Sequence, residues 1–130
     1  MKELKQSILI NKPIEAVFAF TINPDNTPKW VESIVTEKTS EWPVKLGSVY
    51  RNQDRAGEWS EYVLTVFEPN KTFTLTQSDG NYLRYTFTEP TENTTNLAYE
   101  WVGDELEESA LREILEKLKT VIEAEQFGSS

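Results

Sequence analysis

"INKPIEAVFAFTINPDNTPKWVES", residues 10–33, carries two proline-marked breaks between a strand-like start and a large aromatic, Trp30. Pro13 suits a first helical position, because its ring fixes φ and no helix bond needs the amide it lacks. Glu15 places negative charge near the positive end of the helix dipole. Ile14, Val17, Phe18 and Thr21 then recur at i, i+3, i+4 and i+7, one helical face. Asn23-Pro24 and Thr27-Pro28 stop a simple continuation, since proline disfavours helix in the residue before it. The spacing predicts a helix from Pro13 followed by a short second helical turn ending near Trp30. Upstream, Leu4, Gln6, Ile8 and Ile10 alternate with Lys5, Ser7 and Leu9, the pattern of a strand with one face on a core.

Downstream, from Glu32 to Val102, turn signals separate successive strands: Leu46-Gly47, residues 54–57, Glu68-Pro69-Asn70, residues 78–81 and residues 89–93. Connections this short cannot hold crossovers, so the sheet is expected to be antiparallel. Phe73 and Leu75 alternate with threonines. Leu83, Tyr85 and Phe87 flank Arg84 and Thr86, and Leu97, Tyr99 and Trp101 flank Ala98 and Glu100. These sets are assigned to one buried face. Around residues 61–67 both faces are partly apolar, and Tyr62, Leu64 and Val66 are placed inward against Val63, Thr65 and Phe67. Residues 105–126 read as a helix with a broad apolar stripe that includes Leu111, Ile114, Leu115, Leu118 and Ile122. The aromatic sheet face is its partner. Residues 1–130 are read as one α+β domain: a curved antiparallel sheet, two short helices after the first strand, and a long C-terminal helix across the sheet.

Composition narrows the chemistry. The chain has no cysteine and no histidine, which removes disulfides, thiolate nucleophiles and the commonest metal ligand and general base. No cluster has metal-ligand spacing and no glycine-rich loop precedes a helix, so neither a metal nor another cofactor is expected. A net charge of −9 opposes phosphate contacts, so nucleic acid is not an expected partner, and neither is membrane insertion, for want of a long apolar run. The start carries a lysine without a long apolar segment and reads as a strand, not a signal peptide; the expected compartment is the cytoplasm. The acidic residues of positions 104–126 are read as a solvated helix face, with a basic protein partner as the other use of such a surface.

"Ile-x-x-Pro-x-Glu-x-Val-Phe" (Ile10, Pro13, Glu15, Val17, Phe18), "Pro-x-Trp" (Pro28, Trp30) and "Leu-Gly-Ser-Val-Tyr" (Leu46 to Tyr50) resemble the START-like, or SRPBCC, superfamily. More narrowly, the chain is similar to the polyketide cyclase/dehydratase and lipid-transport group with the Bet v 1-like helix-grip fold. The resemblance spans about residues 3–125. It implies a cavity for a hydrophobic or amphipathic small molecule, held by a carrier or receptor or transformed by a cyclase or dehydratase; one branch of the superfamily instead assists a chaperone ATPase. No catalytic set carries across residue by residue, so no catalytic residue is assigned and binding is preferred to catalysis. In such a fold Trp30 would close one side of the cavity. Its expected walls are Trp30, Tyr50, Phe73, Phe87 and Trp101, with Tyr62, Tyr85 and Tyr99 offering hydroxyls. Leu111, Leu115 and Leu118 are the expected contribution of the helix. All of these residue types serve equally as core packing. Arg51, Glu61, Arg84 and Glu100 are read as outer-face charges, with Arg84 and Glu100 placed to pair. An inward carboxylate beside a tyrosine would favour the enzyme, and Glu61 is the named candidate.

Overall fold

The computed structural model describes residues 2–103 and 106–125. Its strands are β1 (Lys2–Ile10), β2 (Ile34–Thr39), β3 (Val49–Asp54), β4 (Trp59–Glu68), β5 (Thr72–Thr76), β6 (Tyr82–Thr91) and β7 (Thr94–Gly103). All seven join one antiparallel sheet in the order β1-β7-β6-β5-β4-β3-β2, so β1 and β2 form its edges. The described residues also form three α-helices: α1 (Ile14–Ile22), α2 (Thr27–Trp30) and α3 (Glu108–Ala124). The sheet curls around the helical side, which is the helix-grip arrangement.

Pro13 stands just before α1 with extended backbone (φ −61°, ψ 151°), and its carbonyl accepts the first helical bond from the Val17 amide at 3.1 Å. α1 buries more than one stripe. Ile14, Val17, Phe18 and Thr21 are inside as expected, and so are Phe20 and Ile22. A single 3-10 turn, Pro24–Asn26, links α1 to α2, and the Asn23 side chain caps it by accepting from the Asp25 amide at 3.0 Å.

The expected C-terminal helix ran over residues 105–126. α3 occupies Glu108–Ala124, and positions 105 and 126 lie outside the described residues. Leu111, Leu115, Leu118 and Ile122 are fully buried at 4-3-4 spacing, the seam by which α3 meets the core. Polar contacts fix it along β1: Gln6 Nε2 donates to the Glu108 carbonyl at 2.9 Å and Lys119 Nζ to the Leu9 carbonyl at 2.9 Å.

Register explains the facing of the sheet. Phe73 pairs with Tyr85 and Tyr85 with Tyr99, while Leu75 pairs with Leu83 and Leu83 with Trp101, so the inward sets form continuous rows. In β4 the expected inward set holds only in part. Tyr62 and Leu64 face inward, but the register shifts between Leu64 and Val66, leaving Thr65 as an extra residue. The bulge turns Val66 outward, 37% exposed, and brings Phe67 inward against Phe18 with ring centroids 6.3 Å apart. A turn expected at residues 89–93 is shorter than its sequence signal, since β6 continues through Glu89 and Pro90 to Thr91.

Candidate functional site

Between the curled sheet and the α2–α3 side lies a cavity of about 210 Å³. Phe73 and Tyr85 stack face to face (4.3 Å, 16°) and Tyr99 meets Tyr85 edge-on (4.9 Å, 89°), forming its aromatic floor. Trp30, 3% exposed at the end of α2, stands edge-on to Tyr85 at 6.5 Å. Tyr50, Tyr62 and Trp101 complete the aromatic wall, with Leu75 and Leu83 between them. Leu106 and Ile114 face it from the helical side.

Seven of the sequence-assigned residues therefore meet around one space: Trp30, Tyr50, Tyr62, Phe73, Tyr85, Tyr99 and Trp101. Phe87, Leu111, Leu115 and Leu118 do not line it. Phe87 lies two positions beyond Tyr85 on β6, where the ring of Phe18 packs against it at 5.1 Å. The three leucines belong to the α3 seam at 0% exposure, while Ile114, on the flank of that seam, looks into the cavity.

One end of the cavity is polar. Glu37 of β2 accepts from the Thr27 hydroxyl at 2.6 Å and from Asn52 Nδ2 at 3.1 Å. Burial raises its carboxyl above the ordinary value of 4.5, and these two hydrogen bonds only partly oppose that rise. Its two partners are neutral. Among the described residues, no lysine or arginine lines the cavity. Tyr50 donates its hydroxyl to the Ile22 carbonyl at 2.7 Å, so that group is committed to the fold. Burial and then the charge of Glu37 raise Tyr62, and burial raises Tyr85 and Tyr99, whose hydroxyls also influence one another. At neutral pH these phenols are neutral hydrogen-bonding groups. The buried Trp30 Nε1 finds no hydrogen-bond partner among the described residues, a donor left unsatisfied in the wall itself.

Glu61, the carboxylate named from sequence, faces the other way and pairs with Arg51 at 3.1 Å on the outer surface. Arg84 and Glu100 also pair outside, at 3.8 Å. The carboxylate that turns inward among the described residues, Glu37, lies beyond a bulge. Ile34 pairs with Asp54 and Thr36 with Gln53, so Val35 is an extra residue in β2. Strict alternation from an inward Ile34 puts Thr36 and Lys38 inside and Glu37 outside. The inserted residue reverses this and sets Glu37 beside Asn52.

No helix among the described residues is long and apolar enough to cross a membrane, and no group of three or more His, Cys, Asp or Glu side chains there is placed to hold a metal ion. The model of a family described as polyketide cyclase / dehydrase and lipid transport matches residues 1–123. No curated protein matches the chain. Solved structures share the fold at low identity. Protein MLL2253 from Mesorhizobium loti is 17% identical with a TM-score of 0.77, covering 97% of this chain and 100% of its own. The Aha1 dimer from Colwellia psychrerythraea is 20% identical with a TM-score of 0.72, covering 95% and 98%. The AHSA1-like protein from Aeromonas hydrophila is 18% identical with a TM-score of 0.67, covering 93% of each chain.

Proposed function

The chain belongs to the polyketide cyclase / dehydrase and lipid transport family, and from that premise we propose that it encloses a hydrophobic or amphipathic small molecule in the cavity between sheet and α3. The single observation that carries this reading is an aromatic-walled space of about 210 Å³ between the sheet and the helical side. Interiors are normally filled to the density of organic crystals, and ligand sites combine apolar walls with a few convergent polar groups. Glu37, Asn52 and Tyr62 are those groups here. The test is binding of N-phenyl-1-naphthylamine, an uncharged fluorescent probe. One equivalent is expected to bind and to be displaced by neutral polyaromatic compounds. An absence of binding across such compounds, with no shift in melting temperature, removes the container reading.

A second reading is supported by the inward carboxylate. Glu37, raised by burial, is suited to accept a proton from a bound ligand, and Tyr62, whose titration feels the charge of Glu37, is suited to donate a hydrogen bond to the oxygen that becomes negative. This is the chemistry of a cyclase or dehydratase. Deuterium exchange at the α-carbon of a bound aryl ketone distinguishes it. An enzyme should exchange faster than buffer by at least about 10²-fold and lose that gain in Glu37→Gln, whereas a carrier shows only the buffer rate.

A further inference from the structure

The cavity carries a charge asymmetry that its family membership does not specify. Among the described residues its one carboxylate is that of Glu37, held by the neutral donors Thr27 and Asn52, and no basic side chain among them lines the space to balance it. The same cavity is walled by aromatic rings from several elements: Trp30 from α2, Tyr50 from β3, Tyr62 from β4, Tyr85 from β6 and Tyr99 from β7. The faces of such rings attract cations. A carboxylate or phosphate headgroup would meet the opposite, a like charge in a partly desolvated space without a counter-ion. The molecule as a whole carries −9, which raises the local concentration of cations and depletes anions.

We propose that the cavity is selective for amines: a flat or compact apolar body lies against the Phe73–Tyr85–Tyr99 floor while a protonated amino group donates to the Glu37 carboxylate. This rests on the container reading and narrows it, since it excludes the anionic fatty acids that an apolar cavity alone would admit. Thr27 and Asn52 orient the carboxylate from the protein side, and the ammonium supplies the charge that the protein leaves out. The groups facing Glu37 from the surrounding strands are the phenols Tyr50, Tyr62 and Tyr85, none of which is charged at neutral pH.

Three ligands with one ring system and different headgroups test it: tryptamine (cation), tryptophol (neutral) and indole-3-acetate (anion), titrated by calorimetry and by displacement of N-phenyl-1-naphthylamine at physiological salt. Tryptamine is expected to bind on the order of 10- to 100-fold more tightly than tryptophol, the effect of one charge-assisted hydrogen bond, with indole-3-acetate weakest. In Glu37→Gln the advantage of tryptamine over tryptophol should disappear. Equal affinities, or a preference for indole-3-acetate, overturn the amine assignment but leave the container intact. A preference for tryptamine that persists in Glu37→Gln also overturns it, because the selectivity would then come from surface charge. Failure of all three ligands together with the uncharged probe removes both readings. If Glu37→Gln does not fold, the wild-type protein decides: tryptamine affinity must fall as acid protonates Glu37 while tryptophol affinity stays level, and parallel behaviour of the two counts against the proposal.

Discussion

Glu37 is a residue whose environment opposes its charge. Its two hydrogen bonds hold it in place, yet burial still leaves its carboxyl above the ordinary 4.5. The native state holds that proton more tightly than the unfolded chain, so the contribution of Glu37 to stability is fully present below the ordinary glutamate value. It is lost as pH rises through the raised native value. Glutamine has nearly the same shape, and either Thr27 or Asn52 can reorient to accept from its amide. Glu37→Gln should therefore melt close to the wild type at pH 4 and above it at pH 7, read by calorimetry across that range. A variant that melts lower than the wild type at pH 7 would show that the ionised carboxylate stabilises the fold. The outer pair Arg51–Glu61 offers a contrast, since both side chains are about 60% exposed and such pairs contribute roughly 0–1 kcal/mol.

Elements were legible wherever their period was regular. α1 announced itself through Pro13 and a four-residue apolar face, the α2 turn through its prolines, and β5, β6 and β7 through clean alternation that their pairing confirms. The α3 stripe was legible too. Which of its members face a cavity was not, because Ile114 and Leu115 are both large, apolar and adjacent, and only the position of the opposing sheet separates them. The misread facing in β4 comes from a bulge, and β2 carries one of the same kind. Extra residues at Val35 and Thr65 have ordinary strand side chains and no glycine or proline to mark them, so alternation read through them inverts everything beyond. In β4 the inversion exchanges Val66 for Phe67, a substitution of one apolar residue for another. In β2, whose facing was not assigned from sequence, the bulge sets Glu37 inward as the one carboxylate among the described residues that lines the cavity, while Glu61 faces outward.

At the scale of the molecule, the same chain builds a fully buried seam and leaves an open space beside it. Leu115 is 0% exposed within the seam, whereas its neighbour Ile114 borders the cavity. Enlarging each side chain separates the two environments. Leu115→Phe adds volume where none is free, and overpacking of this kind costs typically about 1–3 kcal/mol. Ile114→Phe places the added atoms in the cavity, where new apolar contacts replace none that existed, so chemical denaturation should register a loss below about 0.5 kcal/mol or a gain. Ligand binding should respond in the reverse order. The ring at position 114 occupies the space meant for the ligand and should weaken N-phenyl-1-naphthylamine by at least about tenfold, while Leu115→Phe, measured where it remains folded, should bind the probe within about threefold of the wild type. Ligand-induced stabilisation provides a second readout, because a molecule that binds only the native state raises the melting temperature by mass action. That rise should vanish in Ile114→Phe and survive in Leu115→Phe. Equal destabilisation by the two substitutions, with probe binding untouched in both, would mean that the space bordered by Ile114 is too small or too transient to hold a ligand, and the container reading would fail with it.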